Sequence, residues 1–349
     1  MQRQTTWWFT LALGAVFAGT HAAPAAADFF GSSDSPGTLT DLSVPEAAGS
    51  PWGEGCCNTC DYGNWWQNTA IFFAADGWRT RADDDYPGNF GFRTGFNSGI
   101  ALWDSPIRMQ LGVSFGGYDL DGRDGDIGAD PFSNASVEDQ IFTTFGFYKR
   151  SDVCQGDRWA WAAVVDLLYD NNFGEEAQEI FNRQTRGYLG YAWDEANEFG
   201  TWFAFQLNWA RYVSDVQGRT RVRGLDQVNF FWHHNWDFGG DTWIYAGGAE
   251  EPGEWTLGMT GQAPLNDSLA LFGGFTYVIP SAPAGDPLAS PISNGAQNYS
   301  EAYWNVSFGI VWYPGSKAAN KSVSGYAGMP LLPLADNGSF LLKARTGDL

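Results

Sequence analysis

Positive charge is what this chain has least of. Its 349 residues carry 19 Lys and Arg against 40 Asp and Glu, a formal net charge of −21, and lysine supplies only Lys149, Lys317, Lys321 and Lys343. A polyanion would be repelled, which excludes a protein that tracks nucleic-acid phosphates. Histidine is nearly as scarce: His21 lies near the N-terminus, and His233 and His234 are adjacent. Neighbours on a strand point to opposite faces, so that pair cannot share a metal ion. No nucleophile motif accompanies either histidine, no Walker-type glycine loop occurs, and Asp61 after Cys60 rules out a C-x-x-C-H haem site. A pair of carboxylates such as Asp166 with Glu301 is the most that a glycosidase could use. An enzyme is therefore not expected, and neither is a cofactor other than calcium.

Long apolar runs are also missing beyond the N-terminus. Arg3 precedes an apolar stretch from Trp7 to Ala18 and small residues ending Ala25-Ala26-Ala27, the pattern of a secretory signal occupying residues 1–27. Nothing after it is long and apolar enough for a helical span. Residues 28–64 read as a linker rich in Gly, Ser, Pro and Ala, holding Cys56, Cys57 and Cys60. With Cys154 these make four cysteines, read first as disulfides in an oxidising compartment. A four-thiolate zinc site is the alternative, although Cys154 lacks a second C-x-x-C partner.

What the chain has in excess is glycine, 44 residues, and aromatic side chains, 26 Phe, 18 Trp and 14 Tyr. From residue 65 to residue 313 these alternate with period two in about twelve segments separated by Gly, Pro, Asp and Asn clusters, as in consecutive antiparallel strands. The segments are 65–81, 89–103, 107–119, 138–149, 157–170, 185–194, 201–214, 221–236, 241–249, 254–263, 268–280 and 299–313. In the third, Ile107, Met109, Leu111, Val113 and Phe115 oppose Arg108, Gln110, Gly112 and Ser114. Gly91, Gly95, Gly99, Gly112, Gly116, Gly190 and Gly309 all fall on the polar parity, where small residues relieve crowding inside a closed barrel. Gaps after odd-numbered segments are on the whole longer than those after even-numbered ones, the asymmetry of outer-membrane barrels. Trp304 and Trp312 lie on one face, roughly 27 Å apart at ~3.3 Å per residue, which a tilt of about 40° brings close to the height of an apolar membrane band. A mean hydropathy of −0.28 is compatible with this, since every other residue of a spanning strand is free to be polar. The expected fold is all-β, a closed antiparallel up-and-down barrel of outer-membrane type.

The export signal, the aromatic strand pairs such as Gly187-Tyr188-Leu189-Gly190-Tyr191, and the tail from Met329-Pro330-Leu331-Leu332-Pro333 to Asn337-Gly338-Ser339-Phe340 resemble a planctomycetal family of outer-membrane-barrel-like proteins classed as a domain of unknown function. The resemblance covers most of the mature chain and implies a barrel fold without implying an activity. Typical outer-membrane barrels end on an aromatic residue of the last strand. Here residues 314–349 follow Trp312-Tyr313, and a C-terminal periplasmic tail is expected.

The parity assigned to the lumen collects Arg93, Arg108, Arg158, Arg186, Arg221 and Arg223 with Asp166, Asp194, Glu254 and Glu301. Arginines facing carboxylates across a narrow pore would filter small solutes; mutual neutralisation in a packed polar plug is the competing outcome. Asp226 breaks its strand's parity, which a bulge at Gly224 would explain. Asp119, Asp121, Asp124, Asp126 and Asp130, with intervening glycines, supply the hard oxygen ligands calcium takes, although not in an EF-hand pattern. Asp83, Asp84 and Asp85 form a second acidic outer loop. Cys154 falls in a short periplasmic turn, on the side of the N-terminal cysteines, so a disulfide to one of them is expected. The sequence thus points to a barrel in the cell outer membrane that passes small solutes in the manner of a porin or serves the envelope structurally, with lipid and small solutes as partners. A secreted soluble all-β protein binding glycans on aromatic platforms is the alternative.

Overall fold

The computed structural model describes residues 64–80, 89–118, 137–173, 178–214, 218–250, 253–279 and 303–346. The signal segment, the linker with Cys56, Cys57 and Cys60, the acidic loops holding Asp83 to Asp85 and Asp119 to Asp130, and Glu301 lie outside them. One antiparallel sheet dominates. It comprises β1 (Thr69–Arg79), β2 (Asn89–Ala101), β3 (Arg108–Tyr118), β4 (Glu138–Lys149), β5 (Trp159–Phe173), β6 (Gln178–Ala192), β7 (Asn197–Gln206), β10 (Gln227–Asn235), β11 (Asp241–Ala249), β12 (Trp255–Pro264), β13 (Leu269–Ile279) and β14 (Tyr303–Trp312). Each pairs with the next, and β1 closes on β14 in register from Ile71↔Trp312 to Arg79↔Trp304, so the sheet is a closed twelve-stranded barrel.

Period-two alternation places the side chains. Phe73, Phe92, Phe115, Phe145, Phe199, Phe230, Ile244, Leu257, Phe275 and Phe308 are exposed on the outside. Asp76, Arg93, Gln110, Thr144, Asp166, Arg186, Asn229, Thr276 and Asn305 are buried within. Connections 102–107, 150–158, 193–196, 236–240 and 265–268 are short and share one end of the barrel, here the turn end. The opposite loop end carries most of the longer connections. Exposed Trp65, Trp66, Trp103, Trp159, Trp193, Trp236 and Trp312 all sit at or beyond strand termini on the turn end.

Two expected strands are broken. Periodicity predicts continuous strands over 201–214 and 221–236, but the chain leaves the barrel after Gln206. It forms the hairpin β8 (Ala210–Ser214) and β9 (Gly218–Gly224), then re-enters at β10. The hairpin alternates too, with Val222 buried and Arg221 exposed, so periodicity alone does not say which sheet a strand joins. Asp226 marks the re-entry rather than a bulge: its carboxylate accepts the Gln206 backbone N–H at 2.7 Å and faces Arg223 at 3.7 Å.

The C-terminal segment is the larger departure. Residues 313–341 run inside the barrel, and β15 (Leu342–Thr346) adds to β9 at the loop end. A barrel of about eight strands is filled by its own side chains, and sixteen or more leave a channel. Twelve strands enclose an intermediate bore, which here is filled by a further length of chain. At the loop end Phe340, Leu341 and Leu342 pack with Trp78, Tyr118, Phe142, Phe173, Ile180, Leu225, Val278 and Tyr303 in apolar clusters that stop the mouth.

Candidate functional site

The lumen is the candidate site, and its occupant enters along the turn-end rim. The Ala318 N–H donates to the Asp267 carbonyl (3.0 Å), Asn320 to Gly239 (2.8 Å) and Val323 to Glu195 (2.8 Å), while the Ser324 and Ser151 hydroxyls meet at 3.1 Å. The segment therefore touches the β12–β13, β10–β11, β6–β7 and β4–β5 turns in succession, a collar drawn around the inside of the rim. It reaches β2 at Gly328, whose carbonyl accepts from Tyr148 OH at 2.9 Å. A Cβ on Gly99 would run into that same carbonyl, so glycine is what allows the collar to lie flat there.

From Met329 the chain turns up the bore. Pro330 and Pro333 lack N–H groups and interrupt any ladder, so the buried carbonyls here need side-chain donors. The inward residues supply them. Arg150 donates to Met329 O (2.9 Å) and Pro330 O (2.5 Å), Asn97 and Gln110 to Leu332 O (3.0 and 2.8 Å), Arg186 to Pro333 O (2.9 Å) and Arg93 to Ala335 O (3.1 Å). Thr144 accepts the Ala335 N–H at 3.0 Å, and Asn337 donates to Gln140 at 2.9 Å. Leu225 N–H donates to Leu341 O at 2.7 Å before β15 begins. Gly112 leaves room for Leu334, whose Cδ1 would lie 2.8 Å from a Cβ there.

Charges inside are paired. Arg186 grips Asp166 through Nε at 2.5 Å and Nη2 at 3.0 Å, both residues nearly inaccessible. Arg93 lies between Asp76 (3.9 Å) and the segment's Asp336 (3.4 Å), and Asp76 accepts from Tyr118 and Asn305, each at 2.7 Å. On the rim, burial holds the Tyr313 phenol above its ordinary value, so it remains a neutral donor to Gln262 at 2.5 Å.

Of the residues expected to line a pore, Arg93, Arg108, Asp166 and Arg186 are buried on inward positions of their strands, and Glu254 is buried at the start of β12. Four others are elsewhere. Arg158 precedes β5 and donates to the Trp193 carbonyl, and Asp194 caps the β6–β7 turn by accepting from Ala196 N (2.8 Å) and Asn197 N (2.7 Å); both lie past the strand ends, where parity no longer assigns a face. Arg221 and Arg223 belong to β9, outside the barrel, where Arg223 pairs with Glu250 and lies 4.2 Å from the Trp209 ring centroid. Cys154 sits in a one-turn 3-10 segment, Val153–Gln155, on the turn end. Asn97, Gln110 and Arg150 are lumen residues that the sequence did not single out. The first two were legible as polar residues on inward parity, while Arg150 lies in a turn and carried no signal.

Beside the segment lies a cavity of about 340 Å³, bordered by Phe72, Trp202, His233, Trp243, Tyr245 and Phe272 among others. His233 faces inward there and is 4% exposed, whereas His234 faces out and meets Asn197 at 2.9 Å. Among the described residues no group of three or more His, Cys, Asp or Glu could hold a metal ion, and no helix is long and apolar enough to cross a membrane.

A family model described as "Family of unknown function (DUF6666)" matches residues 68–342, which spans the barrel, the lumen segment and the start of β15. No curated protein matches the sequence significantly. Solved structures similar in strand arrangement include the KdgM porin (6% identical, 70% of this chain and 98% of that chain, TM-score 0.37), the NanC porin (9%, 69% and 98%, 0.37) and a mutant of the TodX monoaromatic hydrocarbon channel (10%, 70% and 88%, 0.39). These likenesses are too distant to bear on what the barrel does.

Proposed function

Because the chain belongs to DUF6666, a family whose function is not known, we propose a role from the barrel itself: an outer-membrane envelope barrel closed at rest by its own C-terminal segment. The membrane part rests on the exterior, a band of exposed Phe, Leu, Ile and Val bounded at the turn end by tryptophans. Strands of 10 to 15 residues through most of the ring, tilted by about 40°, span roughly 25 to 38 Å, enough for the ~25 Å apolar band. Indoles favour its edge because the ring is apolar and the N–H seeks water. In this reading the turn end, with its short connections, faces the periplasm and the loop end faces outside. In that orientation Cys154 faces the compartment of the N-terminal cysteines, which supports a disulfide to Cys56, Cys57 or Cys60.

The closed state rests on one observation. Beyond the rim collar, residues 329–341 thread the bore, bonded to donors on β2, β3 and β6 and stoppered by apolar clusters at the loop end. A porin-like passage for small solutes would need that segment to move. Purified, folded protein in a planar bilayer should accordingly give no steady conductance steps, and a persistent open-pore current would overturn the closed reading. Migration on a detergent gel should change on heating; full solubility without detergent would overturn the membrane reading and favour the secreted alternative.

A further inference from the structure

We propose that the cavity beside the lumen segment binds a small, flat, mostly apolar molecule carrying one hydrogen-bonding group, a phenol-like ring compound, with His233 Nε2 as its polar anchor. The inference deepens the proposed function by adding a ligand to the closed barrel, and it does not depend on whether the barrel conducts.

The anchor is set up by its neighbours. Glu198 accepts Tyr188 OH on Oε1 at 2.7 Å and His233 Nδ1 on Oε2 at 3.1 Å, which fixes the ring's orientation. Trp243 stacks on the imidazole at 4.4 Å between centroids and holds it from the side. Nε2 is left buried without a hydrogen-bond partner, its nearest carboxylate oxygen, Asp241 Oδ2, being 3.8 Å away. His233 borders the cavity, and an imidazole nitrogen that is oriented by a buried carboxylate, shielded from water and lacking a hydrogen bond is a polar group that a ligand can satisfy.

The rest of the lining selects against polar ligands. Around His233 the walls are rings, with Trp202 and Tyr245 edge to face at 5.3 Å and Phe72 and Phe272 at 5.9 Å. Several polar side chains that border the same space already serve the lumen segment or each other: Arg150 on Met329 and Pro330, Asn97 on Leu332, Gln262 on Ala318, Asn305 on Asp76. A sugar would bury hydroxyls with few partners, at a cost of about 1 to 3 kcal/mol for each unmade bond. Volume narrows the class further. A dry cavity near 150 Å³ takes benzene, so about 340 Å³ has room for one or two fused rings.

The test is isothermal titration of the full chain in detergent with 2-naphthol, naphthalene and glucose. Saturable one-to-one binding of 2-naphthol is expected, up to about tenfold tighter than naphthalene, with no binding of glucose. Thr260→Phe, which fills the cavity from β12, should abolish binding while heat-modifiable migration persists. If that variant does not fold, Gly274→Leu on β13 takes its place. His233→Phe should erase the preference for 2-naphthol while naphthalene still binds. Equal, non-saturating uptake by wild type and filled variant, or saturable binding of glucose, would overturn the proposal. Closure of the barrel is tested separately, by the bilayer recording, whichever way the titration falls.

Discussion

At the scale of single residues, the interior is decided by polar groups that have no access to water. Asp166 and Arg186 are both nearly inaccessible and bonded twice to each other, and Arg186 also holds Pro333 O. Arg186→Leu should therefore destabilise the barrel by about 3 to 5 kcal/mol, because it strands a buried carboxylate. Arg186→Leu combined with Asp166→Leu should recover most of that loss. Urea or heat titration followed by gel mobility measures both, and a single-variant loss under about 1 kcal/mol would show that water reaches the pair. Which arginines face inward was legible for Arg93, Arg108 and Arg186, because period two fixes the face inside a strand. It failed for Arg158 and Arg223, where the strand had ended or belonged to another sheet.

At the scale of elements, the lumen segment behaves as a core built from non-repetitive chain. Its fit against β2 and β3 depends on glycines: Gly99 lets the Gly328 carbonyl approach, and Gly112 makes space for Leu334. Gly99→Val should push the collar off the rim without touching the outer face. Trypsin should then cleave at Lys317, which in the wild type is 5% exposed and should resist. Equal resistance of both proteins would mean that the collar does not depend on this contact. Alternation places these glycines on the inner parity correctly. Relief of crowding inside the barrel was the expected reason for them, and at Gly99 and Gly112 what crowds is a segment more than 200 residues away in the chain.

At the scale of the molecule, the path of the chain makes an uncommon prediction. A last strand that ended the barrel would leave the C-terminus at the turn end, yet β15 pairs with β9 at the opposite mouth, Leu342↔Gly224 through Thr346↔Thr220. An epitope tag appended after Leu349 should consequently be stained on intact cells, and staining only after permeabilisation would contradict the proposed orientation. The N-terminal side should be pinned at the other end: peptide mapping without reductant should recover Cys154 joined to Cys56, Cys57 or Cys60. Recovery of Cys154 as a free thiol would remove that link. Together the two experiments report which mouth of the barrel each end of the chain occupies.

Alternation of aromatic and small or polar residues placed most of the strands and their outward face, because side-chain direction along a strand has a period of two and is a local property, and with the gap lengths and the glycine parity it pointed to a barrel. The filled lumen, the hairpin outside the ring and the cavity at His233 were decided only by the tertiary structure. Residues 313–341 have no periodicity to read. Their conformation is set by donors on strands distant in sequence and by the width of the bore, which exists only once twelve strands have closed.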